Sequence, residues 1–177
     1  MPLIDKKYAE NLLRSAQPHE EGFTKQKSNE NVFSKILRLV SVRERSVKEL
    51  RDRFLREGFR ESEIEASLNH ALECGLVDDT RFAETLIVSR KKTGKGRKGI
   101  EYDLEQNGIN VNAIPGWPEK FFPSEECELN DAIAFLYAKP PKAKNKREAA
   151  YRKLVLKGYS SSIAGRAVRQ WLEENAN

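Results

Sequence analysis

A chain of 177 residues has room for one or two ordinary domains or for a short array of repeats. Charged residues make up 33% against 38% hydrophobic, and mean hydropathy is −0.70, so any core must be thin and shared along the chain. Lys and Arg outnumber Asp and Glu by 32 to 27, giving a net charge of +5 and a pI near 9.2, a lean toward polyanions or acidic protein surfaces. No apolar run approaches the ~20 residues of a membrane span, and Met1–Ser15 lacks the apolar centre of a signal peptide. Cys74 and Cys127 share no disulfide or metal spacing. A cytoplasmic protein with no membrane contact, no metal and no cofactor is expected by elimination.

In chain order, residues 1–31 are polar, with five acidic and five basic residues, and read as a flexible arm with at most a short helix at Tyr8–Arg14. Phe33, Ile36, Leu37 and Val40 then follow the i, i+3, i+4, i+7 rule of a helix with one buried face. Ser46 is an N-cap, with Glu49 as its capping-box partner, for a helix carrying Leu50, Phe54 and Leu55 to Gly58. Glu61 or Ser62 opens a third helix with Ile64, Leu68 and Leu72 on one stripe, and Gly75 ends it.

Asp78 and Asp79 are placed to cap the next helix, which carries Phe82, Ala83, Leu86 and Ile87. Thr93-Gly94-Lys95-Gly96 breaks it, and the spacing predicts a further helix from Arg97 through Ile100 and Leu104 to Gly108. Val111 and Ile114 begin another stripe, but Pro115, Gly116 and Pro118 stop it, and Trp117, Phe121, Phe122 and Pro123 read as an irregular apolar plug. Leu129, Ile133 and Leu136 mark a helix ended by Pro140-Pro141. Another passes through Ala150 and Leu154 to Gly158. Ser160–Ser162 caps the last, with Ile163, Ala167, Val168 and Trp171 on one face.

Gly58, Gly108 and Gly158 lie 50 residues apart, and each is preceded by apolar residues at minus eight and minus four: Leu50 and Phe54, Ile100 and Leu104, Ala150 and Leu154. A glycine closing an amphipathic helix supplies the left-handed residue of a C-cap, and the apolar residue after it packs back on the last turn. A fixed period of this size marks a repeated supersecondary unit. The chain therefore reads as all-α: an elongated array of three tandem three-helix repeats at 32–75, 76–123 (third helix irregular) and 124–177, behind the arm at 1–31. Leu50, Phe54, Leu86, Leu104, Leu136 and Leu154 are the expected unit centres.

Signs of catalysis are poor. His19 and His70 have no nucleophile or orienting acid at a recognisable spacing. Thr93–Gly99 lacks the GxxxxGK[ST] spacing and a preceding strand, so it reads as a flexible basic connector rather than a phosphate loop. The basic clusters say more. Arg90, Lys91, Lys92, Lys95, Arg97 and Lys98 put six cations in nine residues with no acid among them. A second run holds Lys139, Lys142, Lys144, Lys146, Arg147, Arg152 and Lys153, opposed only by Glu148. Both fall at the junction between the first and second helices of their repeats, as a surface for phosphates or acidic side chains along one edge would require. Arg81 is read equally as a contact residue or as the ion-pair partner of Asp78 or Asp79.

The stretch Gly75-Leu76-Val77-Asp78-Asp79-Thr80-Arg81-Phe82-Ala83-Glu84, continuing to Ser89-Arg90, resembles the signature of the bacterial RecX family of regulatory proteins. So do Ser46, Glu49, Leu50, Leu55, Gly58 and Phe59 before it, and Gly94, Lys95, Gly96, Ile100, Leu104, Asn107, Gly108 and Ile109 after it. The resemblance covers about Phe33–Ile109. It implies tandem three-helix repeats and a monomeric, non-enzymatic protein that binds the RecA recombinase filament. Such a protein modulates, and is expected to inhibit, recombinase, ATPase and co-protease activities in DNA repair, recombination and the SOS response. Direct contact with single- or double-stranded DNA is a further expectation. The alternative is a stand-alone helical DNA-binding protein. Pro115–Pro123 and the arm depart from the family pattern.

Overall fold

The computed structural model describes residues 31–175; the arm, His19 and the helix expected at Tyr8–Arg14 lie outside the described residues. Eight α-helices carry the described chain: α1 Val32–Val40, α2 Val47–Arg56, α3 Glu61–Glu73, α4 Asp79–Lys92, α5 Arg97–Gln106, α6 Glu125–Ala138, α7 Lys146–Leu156 and α8 Ser161–Glu174. A single 3-10 turn, Val111–Ala113, stands where the interrupted stripe ends, and no strand occurs among the described residues. The helices form two compact units divided between Phe82 and Ala83.

In the first unit, Val32, Phe33, Ile36 and Leu37 of α1 pack with Leu50 and Phe54 of α2, Ile64, Leu68 and Ala71 of α3, and Leu76 and Val77 beyond it. Two expected stripe members face water instead: Leu55 and Leu72 are exposed, and Ala71, one position back, fills the core. The substitution follows from helix geometry, because i+7 from Ile64 lies closer to the buried face than i+8 does. Ser46 accepts the Glu49 N–H at 3.0 Å, as an N-cap should. The Glu49 carboxylate does not return to the cap. It pairs with Arg43 and Arg45, leaving half a capping box.

In the second unit, α6, α7 and α8 share one cluster running from Leu129 through Phe135, Leu136, Ala150, Leu154 and Tyr159 to Ile163, Ala167 and Trp171. Ala83, Ile87, Ile100, Leu104, Ile109, Ile114 and Phe122 are also buried, while Leu86 is only half-buried and Ile87 takes its expected place. Trp117 meets Phe121 and Phe122 ring to ring at 5.9 and 5.7 Å, which makes the predicted apolar plug.

All three periodic glycines end their helices in one way. Gly58, Gly108 and Gly158 have φ of 85°, 78° and 85°. The glycine N–H donates to the carbonyl three residues back (Leu55, Glu105, Val155), and the next N–H donates to the carbonyl five residues back (Phe54, Leu104, Leu154). This is the Schellman pair, 5→2 and 6→1. Its apolar contact is present too: Phe59 packs edge-on against Phe54 at 5.9 Å.

Candidate interaction surface

The motif at residues 75–84 is built as a joint. Asp78 accepts the N–H groups of Thr80 at 2.8 Å and Arg81 at 3.1 Å, and so caps α4. Asp79 does otherwise: its carboxylate accepts the Val47 N–H at 2.9 Å, the first helical residue of α2. Burial, with help from the neighbouring Asp78 charge, holds the Asp79 carboxyl above its ordinary value against that hydrogen bond. Arg81 pairs through Nε with Glu44 at 2.6 Å, approaches Asp78 at 4.0 Å, and donates to the carbonyls of Gly75 and Leu76. Its guanidinium thus stitches the end of α3 and the loop before α2 to the start of α4.

A parallel joint occurs in the second unit. Glu128 of α6, with 9% of its surface exposed, accepts the N–H of Arg97, the first helical residue of α5, at 3.1 Å. The rest of that helix start is occupied by backbone. Gly96 N–H donates to Lys157 C=O at 3.0 Å, and Gly99 N–H to Gly158 C=O at 3.3 Å. The N-terminus of α5 thus meets the C-terminal carbonyls of α7, satisfying orphan donors with orphan acceptors and opposing the two helix dipoles favourably. The segment expected to be a flexible connector is therefore pinned. A helix N-terminus behind glycines is the usual place for a phosphate, but here the donors at Gly96, Arg97 and Gly99 are already used.

The cations of the first run divide accordingly. Arg90 Nε and Lys95 Nζ each lie 2.6 Å from Asp103. Burial opposes ionisation of Asp103, but the Lys95 and Arg90 hydrogen bonds outweigh it and hold the carboxyl below its ordinary value. Lys91 donates to the Phe121 carbonyl at 2.5 Å, lies 3.4 Å from Asp131 and sits 4.4 Å over the Phe122 ring. Arg97 lies 3.5 Å from Glu101. Lys92 and Lys98 are exposed and, among the described residues, have no ion pair.

In the second run, Lys142, Lys144, Lys146 and Arg147 are exposed and likewise unpaired among the described residues. Arg152 pairs with Glu148 at 2.5 Å, and Lys153 donates to the Lys139 carbonyl. The ammonium groups of Lys139, Lys153 and Lys157 all lie within 6.0 Å of the Phe135 ring centre. Of the fourteen cations singled out in the sequence, the structure thus engages Arg81, Arg90, Lys91, Lys95, Arg97, Lys139, Arg152 and Lys153 internally and presents Lys92, Lys98, Lys142, Lys144, Lys146 and Arg147 to solvent.

His70 is exposed on α3, its ring 4.6 Å from Phe33 and 3.9 Å from the Cys74 sulfur. Among the described residues no group of three or more His, Cys, Asp and Glu side chains is placed to hold a metal, and no helix is long and apolar enough to cross a membrane.

Helix ends repeated at a fixed period, with carboxylates that cap helices other than their own, define a tandem three-helix-repeat protein of the all-α class. Residues 33–70 match the family model described as RecX, first three-helix domain. The regulatory protein RecX of Vibrio parahaemolyticus is 31% identical over 127 residues, covering 70% of this chain and 81% of that protein. The one from Chlorobium phaeobacteroides is 29% identical over 147 residues, covering 82% and 94%. The chain belongs to the RecX family. The crystal structure of RecX from Lactobacillus salivarius superimposes with a TM-score of 0.62 over 79% of this chain and 94% of that one; at 20% identity this speaks to the fold alone.

Proposed function

We propose that this chain is a non-enzymatic regulator that binds the RecA recombinase filament and inhibits its recombinase, ATPase and co-protease activities, acting as a monomer built of three repeats divided near residues 75 and 123. Membership of a family of regulatory proteins supports the reading. The observation that carries it to residues is the set of solvent-facing cations without internal partners: Lys92, Lys98, Lys142, Lys144, Lys146 and Arg147. A filament of protein on DNA offers both phosphates and carboxylates, and either would neutralise such cations with a steep salt dependence.

The test is a RecA ATP-hydrolysis assay on single-stranded DNA with the parent protein and with a Lys92→Glu, Lys144→Glu, Arg147→Glu variant. None of these three side chains has an internal partner among the described residues, so the helical signal and melting temperature should stay unchanged while inhibition disappears. A folded variant that inhibits as well as the parent removes these cations from the interface. Titration against the same DNA without RecA separates filament binding from the stand-alone DNA-binding alternative.

A further inference from the structure

A chain this polar nevertheless leaves a run of large apolar side chains in water on one face of its second unit. Tyr102 of α5 is 60% exposed; on α7, Tyr151, Val155 and Leu156 are 39%, 42% and 79% exposed. Tyr102, Val155 and Leu156 line an open hollow of about 470 Å³ that also takes in Lys98 and Tyr159, and no acidic residue lines it. Leu156 borders a second hollow, of about 290 Å³, along α7 beside Glu148, Ala149, Arg152 and Lys153, where the Glu148 carboxylate is paired with Arg152. The last helical residue of α7 is thus an apolar ridge between two depressions. Directly beyond it, Gly158 is locked against Gly99, so the ridge stands on backbone held from both sides. A rigid, preformed apolar feature binds at a lower ordering cost than a mobile one.

We propose that this α5–α7 face docks an acidic amphipathic helix of a partner protein, its apolar side chains astride Leu156 and its carboxylates facing Lys98. Charge complementarity selects the occupant. The larger hollow is apolar and basic with no carboxylate of its own, and Lys98 has no ion pair among the described residues. Lys95 is already held by Asp103, so Lys98 is the rim charge available to a newcomer. A helix laid into an apolar groove is a recurring recognition mode, read by anchors at helical spacing. Leu156, aliphatic and 79% exposed, is what favours protein over nucleic acid here: single strands are held by aromatic stacking and backbone cations, which Tyr102 and Lys98 supply without it. The inference does not depend on RecA being the partner.

The probe is a fluorescein-labelled synthetic amphipathic helix with leucines at helical spacing and glutamates elsewhere, titrated against the full chain by anisotropy. A matching peptide with lysines for glutamates and a labelled oligothymidylate serve as comparisons. The parent binds the acidic peptide and not the basic one. Leu156→Ser and Lys98→Glu each weaken binding about tenfold, as expected for a central anchor and its charge partner. Tyr102→Ser does the same from α5 and guards against misfolding of the α7 variant, and circular dichroism should be unchanged in all three. Failure of the parent to bind the acidic peptide, equal binding by Leu156→Ser, or equal affinity for the basic peptide overturns the proposal. So does an oligothymidylate affinity that falls with Leu156→Ser while the peptide is ignored. RecA is absent from this assay, so its failure leaves the proposed function standing.

Discussion

The turn at Gly58 in the first unit and the turn at Gly158 in the second are the same object locally and different objects globally. Both glycines have φ of 85° and both close a Schellman pair. Among the described residues a methyl group on Gly58 would meet nothing within 4 Å, whereas on Gly158 it would fall 2.2 Å from the Gly99 backbone. The first glycine is there only because the left-handed conformation disfavours a Cβ. The second also lets two helix ends touch. Gly99 answers it from the other side, since a Cβ there would lie 2.6 Å from the Lys157 carbonyl oxygen. A repeated motif can therefore keep its backbone while one copy is recruited as a tertiary contact.

The core beneath the two turns should behave alike even though the glycines do not. Phe54 and Leu154, each four residues before its glycine, are both fully buried. Truncating Phe54 to alanine should cost roughly 3–5 kcal/mol and Leu154 to alanine roughly 2–5 kcal/mol, read from urea midpoints of the full chain. If one position proves silent, the two turns do not sit over equivalent cores and the comparison fails at its base.

The glycines should then diverge. Gly158→Ala combines the left-handed penalty with an overlap against fixed backbone, and should cost on the order of 3 kcal/mol. Gly58→Ala should cost about 1 kcal/mol, the conformational part alone. Equal losses in paired thermal melts would mean that the Gly99–Gly158 contact relaxes freely and contributes no rigidity to the end of α7.

The smallest effect sharpens the comparison through pH, because one carboxylate in each unit is shifted, and in opposite directions. Asp103 is held below its ordinary value, so the folded state binds fewer protons than the unfolded one. Its contribution is present above the unfolded value of about 3.9 and fades as pH falls through the folded one. Asp103→Asn should therefore be less stable than the parent at neutral pH and converge with it in acid. Asp79 is held above its ordinary value. Its contribution is complete below the unfolded value of about 3.9 and is lost as pH rises through the raised one. Asp79→Asn, which keeps an acceptor for the Val47 N–H, should gain on the parent between acid and neutral pH. Parallel pH profiles for both variants and the parent would show that neither carboxylate titrates as described.

Much of this architecture was legible without coordinates. Apolar spacing placed α1, α2, α3 and α8 closely, and the glycine period located three helix ends with the same hydrogen bonds. The misses were of a different kind. Leu55 and Leu72 sit one position, about 100° of rotation, off the buried face, and counting apolar residues does not say which of two adjacent ones turns inward. Glu49 fits a capping box by spacing but takes Arg43 and Arg45 instead. Asp79 looks like a cap for its own helix and caps another one. The candidate surface was legible as two cationic runs, but not which cations remain available, since the partners of Lys91 lie 30 and 40 residues away at Phe121 and Asp131. The exposed ridge at Leu156 gave no signal beyond being one more leucine in an amphipathic stretch.

The helices, their stops and most of the residues that fill the cores follow from the order of residues along the chain. Those features depend on a rotation of 3.6 residues per turn and on the conformations one residue allows, both local properties of the chain. Packing in three dimensions is what brings Gly96, Gly99 and Gly158 into contact, makes Glu128 and Asp79 cap helices other than their own, and leaves Lys92 and Lys98 facing solvent while Lys91 and Lys95 are engaged. Each of these depends on which distant groups arrive within hydrogen-bonding or van der Waals range, and that range is set by packing between helices rather than by spacing along one.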